Sequence, residues 1–239
     1  MKSTNLLKLL GAFTLATTTL STTGISIANA SGFAPPPGNG APPRTSGGAS
    51  RGDSCIQSTP LVTASNSSVK ALIPQNNYGV TTSERPTFLV YLPKTEADEV
   101  FFSLKDEDKN TLYQMTLSIT ESQEGIIAIQ LPEDAPELAI GENYQWFLTL
   151  RCNGKMHPNN PFIDAWIKRV ELNVARNQNN LLQQASHLAS NGVWYDAAAT
   201  LASLLQAQPE NQDVFSQWQT LLNSVGLEAI NDVPVVSVR

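Results

Sequence analysis

The sequence predicts a mainly β protein, in which an antiparallel β-sandwich is followed by a small helical module. Between residues 55 and 172, apolar residues recur with period two in several short segments, and no helical segment separates them. After residue 173 the apolar period becomes helical. Short strands without intervening helices are typical of a sandwich, and the change of period marks a second unit.

Residues 1–30 have the three parts of a secretion signal. Lys2 and Lys8 give a positive start, a short apolar stretch follows, and Ala28 and Ala30 form an A-x-A cleavage pattern. The apolar stretch is shorter than the roughly 20 apolar residues that span a bilayer. The segment therefore predicts an exported protein, periplasmic or extracellular, that does not span the membrane after the signal is cleaved.

Residues 31–54 predict a flexible linker. They are dominated by Pro, Gly and Ser and contain few apolar side chains, so burial cannot offset the entropy of ordering them. Loss of residues 1–30 removes two lysines and no acidic residue, which makes the formal net charge of −6 more negative by two. Because the chain is acidic and has no basic stripe, nucleic acid is not an expected partner.

The β region is predicted to span residues 55–172. Its clearest strand places Tyr144, Trp146 and Leu148 on one face and more polar residues on the other. Tyr144 follows a turn at Gly141, an arrangement similar to the tyrosine corner of immunoglobulin-like domains. The predicted fold of this region is therefore an immunoglobulin-like antiparallel β-sandwich.

The two cysteines, Cys55 and Cys152, lie at the start of the β region and at the end of its clearest strand. In an oxidising compartment, an even number of cysteines pairs by default. A catalytic thiol would need a neighbouring base, and the sequence indicates none for either cysteine. We therefore predict a disulfide that staples the N-terminal edge of the sandwich to that strand.

Residues 173–230 are predicted to hold three amphipathic helices. Asn191 and Gly192 stop the first, a proline ends the second, and Gly226 stops the third. The first two form a hairpin similar to one tetratricopeptide repeat, with aromatic residues directly after the turn. A single repeat cannot bury its own apolar face, so the third helix or the sandwich is expected to cover it. Residues 231–239 are predicted to be a tail.

No catalytic, cofactor-binding or metal-binding constellation is predicted. The two histidines, His157 and His187, do not stand at a metal-ligand spacing. Asp106, Asp108 and Asn110 imitate the first half of a calcium loop, but the glycine and glutamate that complete such a loop are missing. A hairpin turn is therefore favoured there, with a weak calcium site as the alternative.

Several short motifs occur in one order along the chain. They are Leu72-Ile73-Pro74, residues 79–88 (GVTTSERPTF), Tyr91-Leu92-Pro93, Trp166 with residues 169–172 (RVEL), residues 192–197 (GVWYDA) and residues 221–227. Together they resemble the cyanobacterial family called domain of unknown function 928, over roughly residues 55–230. The resemblance implies an exported cyanobacterial protein and carries over no catalytic residue. Periodicity already predicts structural roles for the aromatic residues in these motifs.

Three functions are considered for this architecture. The first is a non-enzymatic module of the cell envelope or secreted fraction that binds another protein, which predicts exposed apolar residues on the helices or on an open sheet edge. The alternative is a glycan-binding module that uses exposed aromatic residues such as Tyr78 and Tyr91. The third is a hydrolase, which would need converging polar side chains in a cleft, and the sequence indicates none.

Overall fold

The computed structural model describes residues 68–119, 124–156, 158–172 and 180–236, so the predicted signal segment, the linker, Cys55 and His157 lie outside the described residues. Within them the strands are β1 (Lys70–Ala71), β2 (Tyr78–Thr81), β3 (Thr87–Leu92), β4 (Glu99–Asp106), β5 (Thr111–Ser118), β6 (Gly125–Gln130), β7 (Asn143–Arg151), β8 (Phe162–Arg169) and β9 (Val235–Val236). The helices are α1 (Leu181–Ser190), α2 (Trp194–Ala207) and α3 (Gln212–Asn223), and a 3-10 turn follows at Glu228–Ile230.

The strands form two sheets. One has the strand order β1-β3-β6-β9, and the other has the order β2-β8-β7-β4-β5. Most neighbours are antiparallel, but β2 runs parallel to β8 and β9 runs parallel to β6. Both sheets are therefore mixed, which corrects the expectation of a fully antiparallel sandwich. Short hairpins enforce antiparallel pairing only between consecutive strands, and each parallel pair joins strands that are far apart in the chain.

The two sheets pack against each other through a cluster of aromatic rings. The ring centroid of Phe88 in β3 lies 5.0 Å from that of Phe102 in β4 and 5.2 Å from that of Trp146 in β7. All three side chains are fully buried. The alternation that predicts these strands from the sequence thus directs one face of each into a shared core.

Helix α2 joins the helical module to the sandwich. It contacts β2, β3 and β9, and the buried apolar residues of sheets and helices form one continuous cluster. Leu89 and Tyr91 lie on the face of β3 opposite Phe88, and they are buried as well. Strand β3 is therefore covered on both faces, which explains why both of its alternating sets of residues are apolar.

The three helices form where the apolar stripes predict them. The side chain of Asn180 caps α1 by accepting a backbone N–H at 2.9 Å, and Asn211 caps α3 in the same way. Helix α1 ends at Ser190, and Asn191 caps it before Gly192, which has φ +74°. The segment predicted to be a tail contributes β9, which pairs with β6. None of the described helices is long and apolar enough to cross a membrane.

The turn before β7 is tied to that strand by a side chain. The backbone N–H of Ala139 donates a hydrogen bond to the hydroxyl of Tyr144 at 2.9 Å. Gly141 between them has φ +88°, a left-handed conformation that favours glycine. In the described residues the protein is thus mainly β, with two facing mixed sheets and three helices.

Candidate functional site

Consecutive aromatic residues at the start of α2 bond directly to the sandwich. The indole N–H of Trp194 donates to the carbonyl of Leu72 at 2.7 Å. The hydroxyl of Tyr195 donates to the carbonyl of Trp166 at 3.1 Å and accepts from the indole N–H of Trp146 at 2.8 Å. Both aromatic side chains are buried, so the bonds are shielded from water and hold the helix on the sheets.

The next residue, Asp196, forms hydrogen bonds with the last residue of β2 and with the residue that follows that strand. Its carboxylate accepts hydrogen bonds from the Thr82 N–H at 2.9 Å and from the hydroxyls of Thr81 and Thr82. The dipole of α2 also favours a carboxylate in the first turn. Gly79 lies so close to Tyr195 that an added Cβ would stand 2.8 Å from its ring. This motif is therefore a structural anchor, in keeping with the role that periodicity predicts.

A charged motif holds the turn before β7. The carboxylate of Glu84 lies 3.7 Å from the guanidinium of Arg85 and 3.6 Å from that of Arg169. The guanidinium of Arg85 also lies 3.1 Å from the carboxylate of Glu137, and that of Arg169 donates to the carbonyl of Leu138 at 2.7 Å. Because these charges are partly exposed, the network orients the turn and contributes little to stability.

Candidate metal ligands do not cluster in the described residues. In this part of the chain, no group of three His, Cys, Asp or Glu side chains could hold a metal ion. The carboxylate of Asp106 accepts from the backbone N–H of Asn110 at 2.8 Å and from its side-chain amide at 2.9 Å. The side chains that imitate a calcium loop thus belong to the β4–β5 hairpin turn, as the sequence favours.

The carboxyl of Asp164 in β8 is buried, with 2 % of the residue exposed. It accepts from the side-chain amide of Gln145 at 2.8 Å, and its Oδ1 has no hydrogen-bond partner among the described residues. Burial raises the pKa of Asp164, and the bond from Gln145 offsets part of the rise. The described residues that line the adjoining cleft include Lys70 but neither a second carboxyl nor a histidine.

Cys152 directly follows β7 and is partly buried. It forms an isolated β-bridge with Lys155. Its predicted partner, Cys55, lies outside the described residues, so the disulfide stays a prediction.

The two aromatic residues considered for glycan binding are buried. Tyr78 is 7 % exposed, and its hydroxyl donates to the side chain of Asn143 at 3.2 Å. Tyr91 is 0 % exposed, and its hydroxyl donates to the carboxylate of Glu124 at 2.8 Å. Since neither ring offers a face to a sugar, the prediction that these residues are exposed is wrong.

Other aromatic rings lie on the outer face of the five-stranded sheet. The register places Phe101, Thr149 and Phe162 in one row across β4, β7 and β8. Phe147 lies in the neighbouring row, with the ammonium of Lys105 5.0 Å from its ring centroid. Phe162 is exposed, and the other two rings are half-buried. This face therefore alternates apolar rings with polar side chains.

Strand β5 forms a long open edge of the five-stranded sheet. Its one partner among the described strands is β4. The other edge strands are shorter, since β1 and β9 have two residues each and β2 has four, whereas β5 has eight. Proteins protect sheet edges with short strands, charges, prolines or a covering element. Strand β5 reads TLYQMTLS and has no charge and no proline.

Both faces of β5 carry uncovered side chains. Tyr113, Met115 and Leu117 face the core side, where they pair with buried residues of β4, and they are half-buried. On the other face Leu112 is 37 % exposed and Gln114 is exposed. No described strand lies beside the outer row of backbone N–H and C=O groups of β5. An added strand would bond to these groups and cover the apolar side chains next to them.

The charges around β5 differ between its two ends. The turn before it, residues 106–109, holds three carboxylates and one ammonium, and the hydroxyl of Tyr113 donates to nearby Asp134 at 3.3 Å. At the other end the carboxylate of Glu99 lies 3.2 Å from the guanidinium of Arg151. The edge strand thus has no charged side chain of its own, its turn end is acidic, and its far end has the Glu99–Arg151 pair with Asp98 beside it.

A second group of exposed apolar side chains lies between β8 and α1. Ile140 and Leu181 both line a cleft of about 460 Å³, and Arg169 and Glu171 contribute to its polar wall. Exposed apolar residues thus occur on a helix and on an open sheet edge. The β5 edge is the stronger candidate site, because directional backbone hydrogen bonds would add to apolar contact there.

The period of Tyr113, Met115 and Leu117 predicts β5 as a strand, but the sequence does not reveal that this strand lies at an edge. Strand order depends on pairings such as that of Phe102 with Leu148, which lie far apart in the chain. The one local signal is a run of eight strand residues without charge, and a central strand can share that property.

The comparisons with known proteins give a family and no activity. No curated protein sequence matches the chain. Two crystal structures of Parabacteroides merdae β-glucuronidase, one with glycerol in its active site, are similar to it at 10 % identity. The similarity covers 71 % of this chain and 28 % of theirs, with TM-scores of 0.26 and 0.24, so the chain spans just over a quarter of their length. Similarity at these TM-scores supports no conclusion about the fold or the function of this chain. The family model described as Domain of Unknown Function (DUF928) matches residues 46–235, and the chain belongs to that family.

Proposed function

We propose that the chain is an exported, non-enzymatic module of the cell envelope or secreted fraction that binds another protein along the open edge of β5. The observation that carries the proposal is an uncharged, eight-residue edge strand that no other described strand covers. Backbone hydrogen bonds to an added strand would give affinity, and the half-buried side chains would give specificity. An edge of this length without a partner would expose the protein to aggregation.

Export, the disulfide and the origin of the chain belong to the same proposal. The A-x-A pattern at residues 28–30 supports cleavage of a secretion signal. Cys152 is half-buried at the end of a strand, a position that suits a disulfide to the segment that precedes the sandwich. Cyanobacterial origin is supported by the resemblance of the ordered motifs.

Two finer fold assignments are also proposed. The bond from Ala139 to the hydroxyl of Tyr144 supports an immunoglobulin-like sandwich. The short turn at Asn191 and Gly192 and the small buried residues Ala185 and Ala189 of α1 support a tetratricopeptide-like hairpin of α1 and α2.

Affinity capture with an edge variant tests the proposed function. Tagged residues 31–239 would be incubated with the envelope and secreted fractions of the source organism, as wild type and as the double variant Leu112→Lys with Gln114→Lys. Both positions are exposed, and lysines on an edge strand oppose strand addition. We expect the recovery of a bound protein to fall by roughly tenfold or more in the variant.

A matched control carries the same charge change elsewhere. Ser203→Lys with Ala207→Lys adds two lysines to the exposed side of α2 and should retain the bound protein. A partner retained equally by wild type, edge variant and control would show that β5 is not the binding site. Circular dichroism of all three proteins checks that each is folded.

Glycan binding is the second candidate, and the outer-face rings favour it. Aromatic rings set among polar side chains offer stacking surfaces for sugars, as Phe101, Phe147 and Phe162 do here. In the same capture experiment, polysaccharide would be retained by the edge variant and lost on Phe147→Ala with Phe162→Ala. Retention of sugar by the double alanine variant would contradict this candidate.

A further inference from the structure

We infer that the segment that pairs with β5 is an extended stretch of another protein, with alternating apolar and polar residues and with Lys or Arg at the end beside the 106–109 turn. The inference rests on the proposed function and names the class of partner for the same edge. It follows from two properties of β5, the alternation of its faces and the charge at one of its ends.

The alternation of the partner follows from the two faces of β5. On the core side Tyr113, Met115 and Leu117 recur at every second position and are half-buried. Side chains of an added strand would lie about 5 Å away on the same face, so apolar residues there would extend the core. On the outer face Gln114 and Thr116 are exposed, which favours polar residues in between.

The basic end of the partner follows from the acidic turn. The carboxylate of Glu107 accepts from the side-chain amide of Asn143 at 2.7 Å, and that of Asp106 is held by Asn110. These carboxylates are therefore fixed in place before a partner binds, and Asp108 beside them is exposed. The negative potential of these carboxylates would attract a lysine or arginine of the partner next to the turn. The strand itself has no charged side chain that would attract a charge of the partner elsewhere along its length.

The same charges disfavour a second copy of the chain as the occupant. Antiparallel pairing of β5 with itself would place the acidic turn of each copy beside the Ser118 end of the other. Near Ser118 the charges of Glu99 and Arg151 offset each other, and Asp98 adds a further carboxylate there. Two copies of the exported chain, each more negative by two than the formal net charge of −6 of the full sequence, would gain no compensating attraction there and would repel each other at low salt.

Peptide selection tests the class of partner without knowledge of the natural one. A library of random 12-residue peptides displayed on phage would be selected against immobilised residues 31–239 at low salt. We expect the enriched peptides to alternate β-branched or aromatic residues with polar ones and to carry Lys or Arg at one end. Their binding should be lost on Leu112→Lys with Gln114→Lys.

Charge reversal at the turn separates the partner class from the site. Asp108→Lys should weaken the selected peptides on the order of fivefold, and added salt should reduce that difference. Glu210→Lys is the matched control, because Glu210 is exposed and follows α2, far along the chain from β5. It should leave binding unchanged.

Each remaining outcome overturns a different claim. If the edge variant abolishes binding but the peptides show no basic end and Asp108→Lys has no effect, the partner class is wrong and the proposed site stands. If the selected peptides bind the edge variant as well as wild type, the proposed site is wrong. If light scattering shows a dimer that the edge variant converts to a monomer, a second copy occupies β5.

Discussion

At the scale of single residues, the side chain of Tyr195 links the helices to the sheets. Its hydroxyl both accepts from Trp146 and donates to the carbonyl of Trp166, and the ring packs edge-on against Phe88. Burial raises the pKa of Tyr195, so the hydroxyl keeps its proton and can donate at neutral pH. One side chain thus connects α2 with both facing sheets.

Tyr195→Phe tests this link. The substitution keeps the ring and leaves the Trp146 N–H buried without its acceptor, so we expect the free energy of unfolding to fall by about 1–3 kcal/mol. Urea denaturation measures the change. Tyr113→Phe is the matched control, since it removes a hydroxyl that bonds to exposed Asp134, and its effect should stay within about 0.5 kcal/mol. Equal losses in the two variants would contradict the assigned role.

The buried carboxyl of Asp164 predicts a dependence of stability on pH. Because burial raises its pKa in the folded state, its favourable contribution is complete below the unfolded-state pKa and is lost as pH rises through the folded-state pKa. Asp164→Asn keeps a carbonyl that can accept from Gln145 and removes the titration. The advantage of the variant in free energy of unfolding should therefore grow from about pH 4 to pH 8, as measured by urea denaturation across that range. A difference that is constant with pH would contradict a raised pKa.

At the scale of elements, the contact between α2 and β2 depends on the absence of a side chain. Gly79 of β2 lies against the ring of Tyr195, and this close approach lets Asp196 reach the backbone after the strand. Covering β2 in this way also removes one sheet edge from exposure. The helix therefore both completes the core and protects a strand.

Gly79→Ala should separate these two elements. An added methyl would overlap the Tyr195 ring, and we expect a loss of about 1–3 kcal/mol in the free energy of unfolding. In a double-mutant cycle with Tyr195→Leu, the two losses should fail to add by more than about 0.5 kcal/mol. Strict additivity would show that the glycine and the ring do not act on each other.

The element scale also shows how far the sequence predicts the fold. Strands β3, β4, β5 and β7 are predicted because their apolar residues recur with period two, and β6 is predicted as a short apolar run, whereas β1 and β9 are too short for any period to appear. Tyr91 is predicted to be exposed because alternation alone does not distinguish a strand covered on one face from one covered on two. The open edge of β5 depends on strand order, which comes from distant pairings.

At the scale of the whole molecule, sheets and helices share one core. The buried apolar residues form a single cluster, and β9 returns to the sheet after the helices. Deletion of residues 173–239 would therefore remove the hydroxyl partner of Trp146 and one strand of the four-stranded sheet. For this reason point variants, and not truncations, are the proper probes of function.

The predicted Cys55–Cys152 disulfide is tested on the whole molecule as well. It would close a loop of roughly a hundred residues and stabilise the fold by about 4.7 kcal/mol in the chain-entropy model. We expect reductant to lower the urea midpoint of residues 31–239 accordingly. The variant Cys55→Ser with Cys152→Ser should already have the lower midpoint and should not respond to reductant. A wild-type midpoint that reductant leaves unchanged would contradict the disulfide.

The parallel pairing of β9 with β6 has a consequence for refolding. Ile126 pairs with Val235, so completion of that sheet waits for contacts between distant parts of the chain, which makes folding slow. The β4–β5 hairpin closes locally and can form early, with its long edge exposed in the meantime. Intermolecular pairing through β5 should then compete with folding, and Leu112→Lys with Gln114→Lys should increase the refolding yield and reduce light scattering at high protein concentration.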